Sequence, residues 1–247
     1  MTQIALRKHS QIISQSLQKS AIHNIKFMNI PVITIDGPSA SGKGTVAQLV
    51  AAKLGFHYLD SGALYRIVAL AAQQRNIDWS DALAITACAK TLDIQFSNHQ
   101  VFLNEIDVSD EIRTEAIGKG ASQVAVHAPL RAALLDLQRG FLQSPGLVGD
   151  GRDMGTVIFT NAPLKIFLTA STETRAQRRY QQLLGKNQPA NFEEILQDLT
   201  ERDARDKGRA SAPLAMAEDA ILLETDNLTI SAAVEAILQH FHHKIYE

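Results

Sequence analysis

Apolar residues change their spacing repeatedly along the chain from residue 31 onward. Residues 32–35 form a β-branched run that ends at an Asp-Gly-Pro turn, and such a run predicts a buried parallel strand. After a glycine-rich turn, the next apolar residues recur at helical spacing: Val46, Leu49, Val50 and Leu54. The order strand, loop, helix is that of the first half of a βαβ unit.

The alternation of strand and helix continues to the end of the chain. Further strands are predicted at residues 56–59, 147–148, 165–168 and 221–223. Helices are predicted at residues 63–74, 121–142, 174–184 and 192–205 and from residue 231, with Pro129 breaking or beginning a segment. This order predicts an α/β fold built on a parallel sheet in three layers.

Residues 91–113 depart from this alternation. Two short alternating segments, 94–96 and 101–103, flank the polar turn Ser97-Asn98-His99, which is the pattern of a β-hairpin. We interpret this region as a small β-rich insertion in the core.

The first 28 residues contain four basic and no acidic residues, a charge of +4. They hold no apolar run long enough for a secretory signal, and they resemble an organellar transit peptide only faintly. We interpret Met28 as the natural start, or residues 1–28 as a basic polar extension that is disordered or dispensable. The folded domain is then expected at residues 29–247.

Composition and charge exclude several classes of protein. The longest wholly apolar run, residues 67–72, is far shorter than the roughly 20 residues of a membrane helix. A single cysteine, Cys88, excludes an internal disulfide framework and a multi-cysteine zinc site, and it fits a reducing cytoplasm. Beyond residue 28 there are 20 basic and 26 acidic residues, which argues against a nucleic-acid-binding surface.

The turn after the first strand fits the pattern of a phosphate-binding loop, G-x-x-x-x-G-K. Its residues are Gly37, Pro38, Ser39, Ala40, Ser41, Gly42, Lys43, Gly44 and Thr45. Successive backbone N–H groups and the N-terminus of the following helix would bind the phosphates of ATP, and Lys43 would reach the β- and γ-phosphates. The loop predicts nucleotide binding but does not specify a reaction.

Two groups of arginines fall on single faces of the last two predicted helices before residue 210. They are Arg175, Arg178 and Arg179 in one helix and Arg202, Arg205 and Arg209 in or after the other. An isolated stripe is usually a solvated basic face, but a phosphate loop in the same chain favours phosphate binding. Arginines at this density suit phosphoryl transfer to an anionic acceptor.

Glycine in place of the usual hydroxyl residue after Lys43 resembles the loop of the adenylate-kinase-like nucleoside monophosphate kinases. Residues 30–245 are similar to the bacterial cytidylate kinases, through the motifs at residues 60–66, 107–113, 149–156 and 201–206. The resemblance implies a P-loop kinase core, an insertion that binds the monophosphate at about residues 85–140, and a helical lid at about residues 174–210. It implies transfer of a phosphoryl group from ATP to CMP or dCMP.

The resemblance also assigns roles within the chain. It assigns Ser61 to the substrate, Arg66, Arg152 and Arg209 to the CMP phosphate, and Arg202 and Asp206 to the sugar. It gives Arg178 and Arg205 to the ATP phosphates, and it matches Ser122, Arg131 and Asp153 to positions that contact cytosine. A carboxylate suits cytosine because it accepts a hydrogen bond from N4 and repels O4 of uracil.

Several acidic residues follow predicted strands. Asp150 is expected to order the water shell of Mg²⁺ together with Thr45, with no direct protein ligand to the metal, and to act with Lys43, Arg152 and Arg209 in the reaction. Asp36 and Asp60 could be catalytic or could cap helices or loops. No general base is required, because the CMP phosphate is already an anionic nucleophile.

These readings predict a cytoplasmic monomer that binds CMP, dCMP and ATP and neither nucleic acid nor membrane. Within the kinases, the alternative acceptors are UMP and AMP. From other classes, the alternatives are a P-loop switch or motor without an acceptor, and a nucleotide sensor without catalysis. A guanine-nucleotide switch should carry Asn-Lys-x-Asp, and the chain contains no such tetrapeptide.

Overall fold

A computed structural model describes residues 30–97 and 100–246. Within these residues, five parallel strands form one sheet: β1 (Val32–Asp36), β2 (His57–Asp60), β6 (Leu147–Gly151), β7 (Leu164–Thr169) and β8 (Ile221–Glu224). Their order across the sheet is β2-β6-β1-β7-β8. The predicted parallel sheet is confirmed.

Helices cover both faces of the sheet. They are α1 (Lys43–Leu54), α2 (Ser61–Gln74), α3 (Ala82–Ala89), α4 (Glu115–Val124), α5 (Ala128–Arg139), α6 (Thr172–Gly185), α7 (Phe192–Lys207) and α8 (Ile230–Tyr246). None of these described helices is long and apolar enough to cross a membrane.

The central strand β1 separates two apolar cores. Ile33 and Ile35 are fully buried with α1 and α8 on one face, whereas Val32 packs with α2 and its neighbours on the other. A strand that is buried on both faces needs an unbroken apolar run, which is why residues 32–35 lack the alternation of a surface strand. The three-layer prediction is therefore confirmed.

The predicted helix at residues 121–142 is wrong in its bounds. The structure has two helices there, α4 ending at Val124 and α5 beginning at Ala128, because Pro129 lacks an N–H and is tolerated only in the first turn of a helix. Helix α3 and a single π-helical turn, Met154–Ile158, were not predicted. In the π turn, Phe159 N donates to Met154 O at 2.7 Å, a five-residue spacing that apolar periodicity does not reveal.

The β-rich insertion is present as a second, antiparallel sheet. It consists of β3 (Ile94–Ser97), β4 (Gln100–Leu103) and β5 (Ile106–Asp107), and a 3₁₀ turn follows at Glu111–Arg113. Strands β3 and β4 pair as the predicted hairpin. Asn98 and His99 of its turn, and the predicted extension at residues 1–28, lie outside the described residues.

Replacing Gly120 of α4 by alanine should destabilise the fold. An added Cβ would lie 2.5 Å from the ring of Trp79, whose indole N–H is held by the carbonyl of Ala69 at 3.0 Å. We expect the free energy of unfolding to fall by about 1–3 kcal/mol, the usual cost of overpacking, in a denaturant titration. Gly185→Ala is the control, because no atom lies within 4 Å of its added Cβ and its stability should not fall. Equal losses in both variants would contradict the packing described here.

Candidate active site

The phosphate loop connects β1 to α1 at the carboxyl edge of the sheet, and its glycines are required by its path. A Cβ on Gly37 would lie 1.9 Å from the carbonyl oxygen of Leu168 in β7, so no other residue fits there. Gly42 has a φ of 88°, in the left-handed region that favours glycine. The hydroxyl of Ser41 is buried and, among the described residues, has no hydrogen-bond partner. The path of the loop therefore requires glycine at residues 37 and 42 and leaves a buried hydroxyl beside it unpaired within residues 30–97 and 100–246.

Lys43 and Asp150 lie side by side where this loop meets the end of β6. Lys43 Nζ is 4.0 Å from Asp150 Oδ2, and the hydroxyl of Tyr58 donates to Asp150 Oδ1 at 2.6 Å. Burial lowers the pKa of Lys43, and Arg152 lowers it further. Burial and the nearby charge of Asp60 raise the pKa of Asp150. A negative charge on a ligand would stabilise the ionised form of Lys43, and a positive charge beside it would stabilise that of Asp150.

A cavity next to the phosphate loop brings together eight of the nine residues assigned to the substrate. They are Ser61, Ser122, Arg131, Arg152, Asp153, Arg202, Asp206 and Arg209. Tyr65 lines the cavity as well and was not predicted. The lining residues come from β6, α2, α4, α5 and α7 and from the segments that follow β6, α4 and α7.

Charge in the cavity wall is organised around Asp206. Arg152 Nε donates to Asp206 Oδ2 at 2.8 Å, and Arg209 pairs with the other carboxylate oxygen. Burial would raise the pKa of Asp206, but Arg152, Arg209 and Arg202 bring it below its ordinary value. Burial and Arg152 lower the pKa of Arg202 to about 9. The carboxylate therefore stabilises a cluster of arginines that repel one another.

Two arginines of this wall have buried N–H donors that bind no other described part of the protein. The Nε atoms of Arg202 and Arg209 are buried without a hydrogen-bond partner within the part of the chain that the structure describes. Four arginines and two carboxylates line the cavity, which leaves a net charge of +2. Unpaired buried donors and an excess of positive charge together fit a dianion.

The other carboxylate of the cavity, Asp153, forms a buried ion pair with Arg131. The guanidinium of Arg131 also donates to the carbonyl of Ala125 at 3.2 Å and lies 5.4 Å from the ring centroid of Tyr65. Ser122 of α4 lies in the same wall and is 2% exposed. This end of the cavity offers acceptors and donors in fixed places, as recognition of a planar polar base requires.

Arg66, Arg178 and Arg205 lie outside the cavity lining. Arg66 donates to the carbonyl of Ile112 at 2.7 Å, and Arg178 binds Thr225 just after β8. Arg205 Nε contacts the hydroxyl of Ser122 at 3.4 Å, so it lies beside the cavity.

The remaining candidate residues of the sequence have simpler places. Thr45 is exposed on the first turn of α1. Asp60 caps α2 by accepting from the N–H of Ala63, and Asp36 accepts from the N–H groups of Met154 and Gly155 at 2.8 Å. Both carboxylates therefore accept hydrogen bonds from backbone N–H groups of the protein.

Arg175 connects the phosphate loop to both arginine-bearing helices, which sequence reasoning missed. It is 3% exposed, and it donates to the carbonyls of Ser39 and Ala170 at 3.1 and 3.0 Å. It also donates to both carboxylate oxygens of Asp203 in α7, at 3.3 and 2.6 Å. Its place in the arginine stripe of α6 was visible in the sequence, but its burial was not.

The sequence model of the family described as "Cytidylate kinase" matches residues 33–243 of the chain. A cytidylate kinase of Chromobacterium violaceum is 56% identical over 217 residues, which are 88% of this chain and 98% of that protein. One of Burkholderia thailandensis is 59% identical over 212 residues, which are 86% of this chain and 93% of that protein. Among solved structures, a gluconokinase from Sinorhizobium meliloti 1021 is 16% identical with a TM-score of 0.44, over 88% of this chain and 97% of that chain. The range matched by the family contains the phosphate loop and every residue that lines the cavity.

Methionine should be far more damaging at Arg175 than at Arg179, four residues later in α6. Arg175→Met leaves Asp203 and two carbonyls without their donor, and we expect a loss of about 3–5 kcal/mol in the free energy of unfolding. Arg179 pairs with Glu115, whose side chain is 60% exposed, so Arg179→Met should cost less than about 1 kcal/mol. Denaturant titration of both variants measures the two losses. Similar losses would show that the contacts of Arg175 with the phosphate loop and Asp203 do not stabilise the fold.

Proposed function

The chain belongs to the cytidylate kinase family and transfers a phosphoryl group from ATP to CMP or dCMP, and we propose that the cavity described above binds the acceptor. The observation that supports this site is its net charge of +2 with two unpaired guanidinium donors. A phosphate monoester carries close to two negative charges at pH 7. Its phosphate would supply both the missing acceptors and the missing charge.

We propose that Arg152 and Arg209 bind the acceptor phosphate together with Arg66, whose charge acts on the neighbouring Arg202. Arg152 is well placed because its guanidinium also donates to Ser39 Oγ in the phosphate loop at 2.9 Å. It thus spans the distance between the loop and the cavity. Arg202 and Asp206 would bind the sugar hydroxyls, because one offers donors and the other acceptors on neighbouring turns of α7.

Base recognition is assigned to Asp153, Arg131 and Ser122. The Asp153 carboxylate would accept from N4 of cytosine, while Arg131 holds it in place and could donate to the ring acceptors. Uracil carries an acceptor where cytosine has N4, so it would meet the carboxylate with repulsion. High identity to curated cytidylate kinases also disfavours UMP or AMP as the acceptor.

The phosphates of ATP are assigned to the phosphate loop, Lys43, Arg178 and Arg205. The hydroxyl of Thr45 and the carboxylate of Asp150 are hard oxygen donors that suit Mg²⁺. The described residues contain no group of three acidic, His or Cys side chains that could hold a metal ion. When bound, Mg²⁺ would neutralise charge on the transferred group.

The chain's own task in the reaction is to align the two nucleotides. An oxygen of the acceptor phosphate forms a bond to the γ-phosphorus as the bond to the β–γ bridging oxygen breaks, and ADP leaves. Arg152 and Lys43 would stabilise charge on the phosphoryl group between the two sites. The acceptor phosphate needs no proton removed, so no side chain is required as a base. Closure of α6 and α7 over the nucleotides would exclude water.

We also propose that the protein acts as a monomer in the cytoplasm and binds neither nucleic acid nor membrane. The excess of acidic residues beyond residue 28 supports the absence of a nucleic-acid surface. A gel-filtration profile and a nucleic-acid binding assay at two salt concentrations would test these assignments.

Turnover with ATP, Mg²⁺ and a panel of CMP, dCMP, UMP and AMP tests the activity directly. A coupled assay for ADP should give the highest kcat/KM with CMP or dCMP, and little ADP without an acceptor. A rate with UMP far above CMP would overturn the assigned acceptor. A rate independent of any acceptor would indicate a nucleotide hydrolase.

Arg209→Met should lower kcat/KM for CMP by about 100- to 1000-fold. Arg209 would hold the attacking acceptor phosphate in place, and loss of one preorganised donor to a reacting group typically has this effect. Arg75→Met is the control, because Arg75 is bonded to Thr91 and Cys88 away from the cavity. Its kcat/KM should stay within about twofold of the wild type. Steady-state kinetics on both variants, with melting temperatures, would expose a loss that follows stability instead.

Asp153→Asn should weaken the preference for cytosine. An amide can donate to O4 of uracil where the carboxylate repels it, so we expect kcat/KM for CMP to fall about 10- to 100-fold and the CMP-to-UMP ratio to fall with it. Asp219→Asn is the control, because it removes a different ion-paired carboxylate, the partner of Lys165. It should leave the CMP-to-UMP ratio unchanged. An unchanged ratio in Asp153→Asn would remove this residue from base selection.

A further inference from the structure

A buried glutamine lies directly behind the wall of the acceptor cavity. Gln138 of α5 is 1% exposed. The hydroxyl of Ser61 lies 2.8 Å from Gln138 Oε1. Ser61 itself lines the cavity. The amide of Gln138 therefore contacts the wall of the cavity through the hydroxyl of Ser61.

The surroundings of Gln138 fix which end of its amide faces Ser61. Its Nε2 donates to the backbone carbonyl of Leu134 at 3.2 Å. A carbonyl can only accept, so the NH₂ end must face Leu134 and the Oε1 end must face Ser61. Since Oε1 also can only accept, the hydroxyl proton of Ser61 must point to Gln138.

This arrangement determines what Ser61 can offer to a ligand. With its proton engaged by Gln138, the hydroxyl presents only lone pairs to the cavity. Its partner must then be a hydrogen-bond donor. On a cytidine monophosphate, donors are the N4 amino group and the ribose hydroxyls, whereas the phosphate oxygens of a dianion are acceptors.

We propose that Gln138 is a positioning residue that holds Ser61 as an acceptor for a donor group of the bound nucleotide. The inference rests on the proposed acceptor site. An apolar side chain could fill the same volume without the cost of burying an amide. The amide is needed if the orientation of the Ser61 hydroxyl matters.

A double-mutant cycle with Ser61→Ala and Gln138→Met tests the proposal. Each single variant should lower kcat/KM for CMP by roughly tenfold, mainly through KM, while KM for ATP changes less than about twofold. Because Gln138 acts through Ser61, the double variant should lose little more than Ser61→Ala alone. A loss in the double variant equal to the product of the two single losses would overturn the proposal.

The donor group is identified by comparing substrates in the Ser61→Ala variant. A smaller penalty with UMP points to N4, with dCMP to the 2′-hydroxyl, and with 3′-deoxyCMP to the 3′-hydroxyl; any of these supports the proposal. An equal penalty with all four substrates would place the phosphate against Ser61 and would contradict it.

Stability is separated from positioning by two further variants. Thr86→Val removes a buried hydroxyl that donates to Ala82 in α3, away from the cavity, and should lower the melting temperature without raising KM for CMP. Gln138→Asn keeps the amide but draws it back from Ser61, and should raise KM for CMP as Gln138→Met does. A rise in KM that tracks the melting temperature across all variants would show a structural role only. Failure of the proposed function itself would appear separately, as wild-type protein that does not phosphorylate CMP.

Discussion

The buried carboxylate of Asp206 is the interaction on which the rest of the site depends. Asp206 is 1% exposed and pairs with both Arg152 and Arg209. Without it, several guanidinium groups would face one another in a medium that screens charge poorly. Burial and, after it, repulsion by Arg152 already lower the pKa of Arg202. One carboxylate offsets only part of the positive charge. The cavity wall therefore keeps an excess of positive charge, with four arginines against two carboxylates.

The parallel sheet explains why these groups meet. Parallel strands all deliver their carboxyl ends to one edge, so β1, β2 and β6 supply the phosphate loop, Ser61 and Arg152 to the same place. The register aligns Asp60 with Asp150 and Asp36 with Gly151. Helix α7 then brings Asp206 onto this edge from outside the sheet. If one strand were shifted by one residue in its register, the side chains at its carboxyl end would point to the opposite face of the sheet, away from the cavity.

The sequence pattern was sufficient to predict those parts of the site whose residues lie close together in the chain. The phosphate loop is continuous in sequence, and the resemblance to the family supplied eight of the residues that line the cavity. Contacts that depend on packing between distant elements were not predictable in this way. Gln138 reaches Ser61 across 77 positions, and nothing in its own helix distinguishes it from a surface glutamine. The break before α5 was only partly predicted, because Pro129 permits either a kink or a new helix.

The arginines of α6 show how far residue type alone can mislead. Arg175, Arg178 and Arg179 share one stripe, yet they bind different partners: the phosphate loop with Asp203, Thr225 after β8, and Glu115 of α4. Burial separates them, because a buried guanidinium must satisfy its donors within the protein while an exposed one can use water. Arg175 makes five hydrogen bonds to four residues, Ser39, Ala170, Thr172 and Asp203, and so has no N–H donor left for a ligand. The backbone carbonyl of Ser39 accepts a hydrogen bond from Arg175, and its hydroxyl accepts one from Arg152. One residue of the phosphate loop is therefore bound both by the buried Arg175 and by Arg152 of the cavity wall.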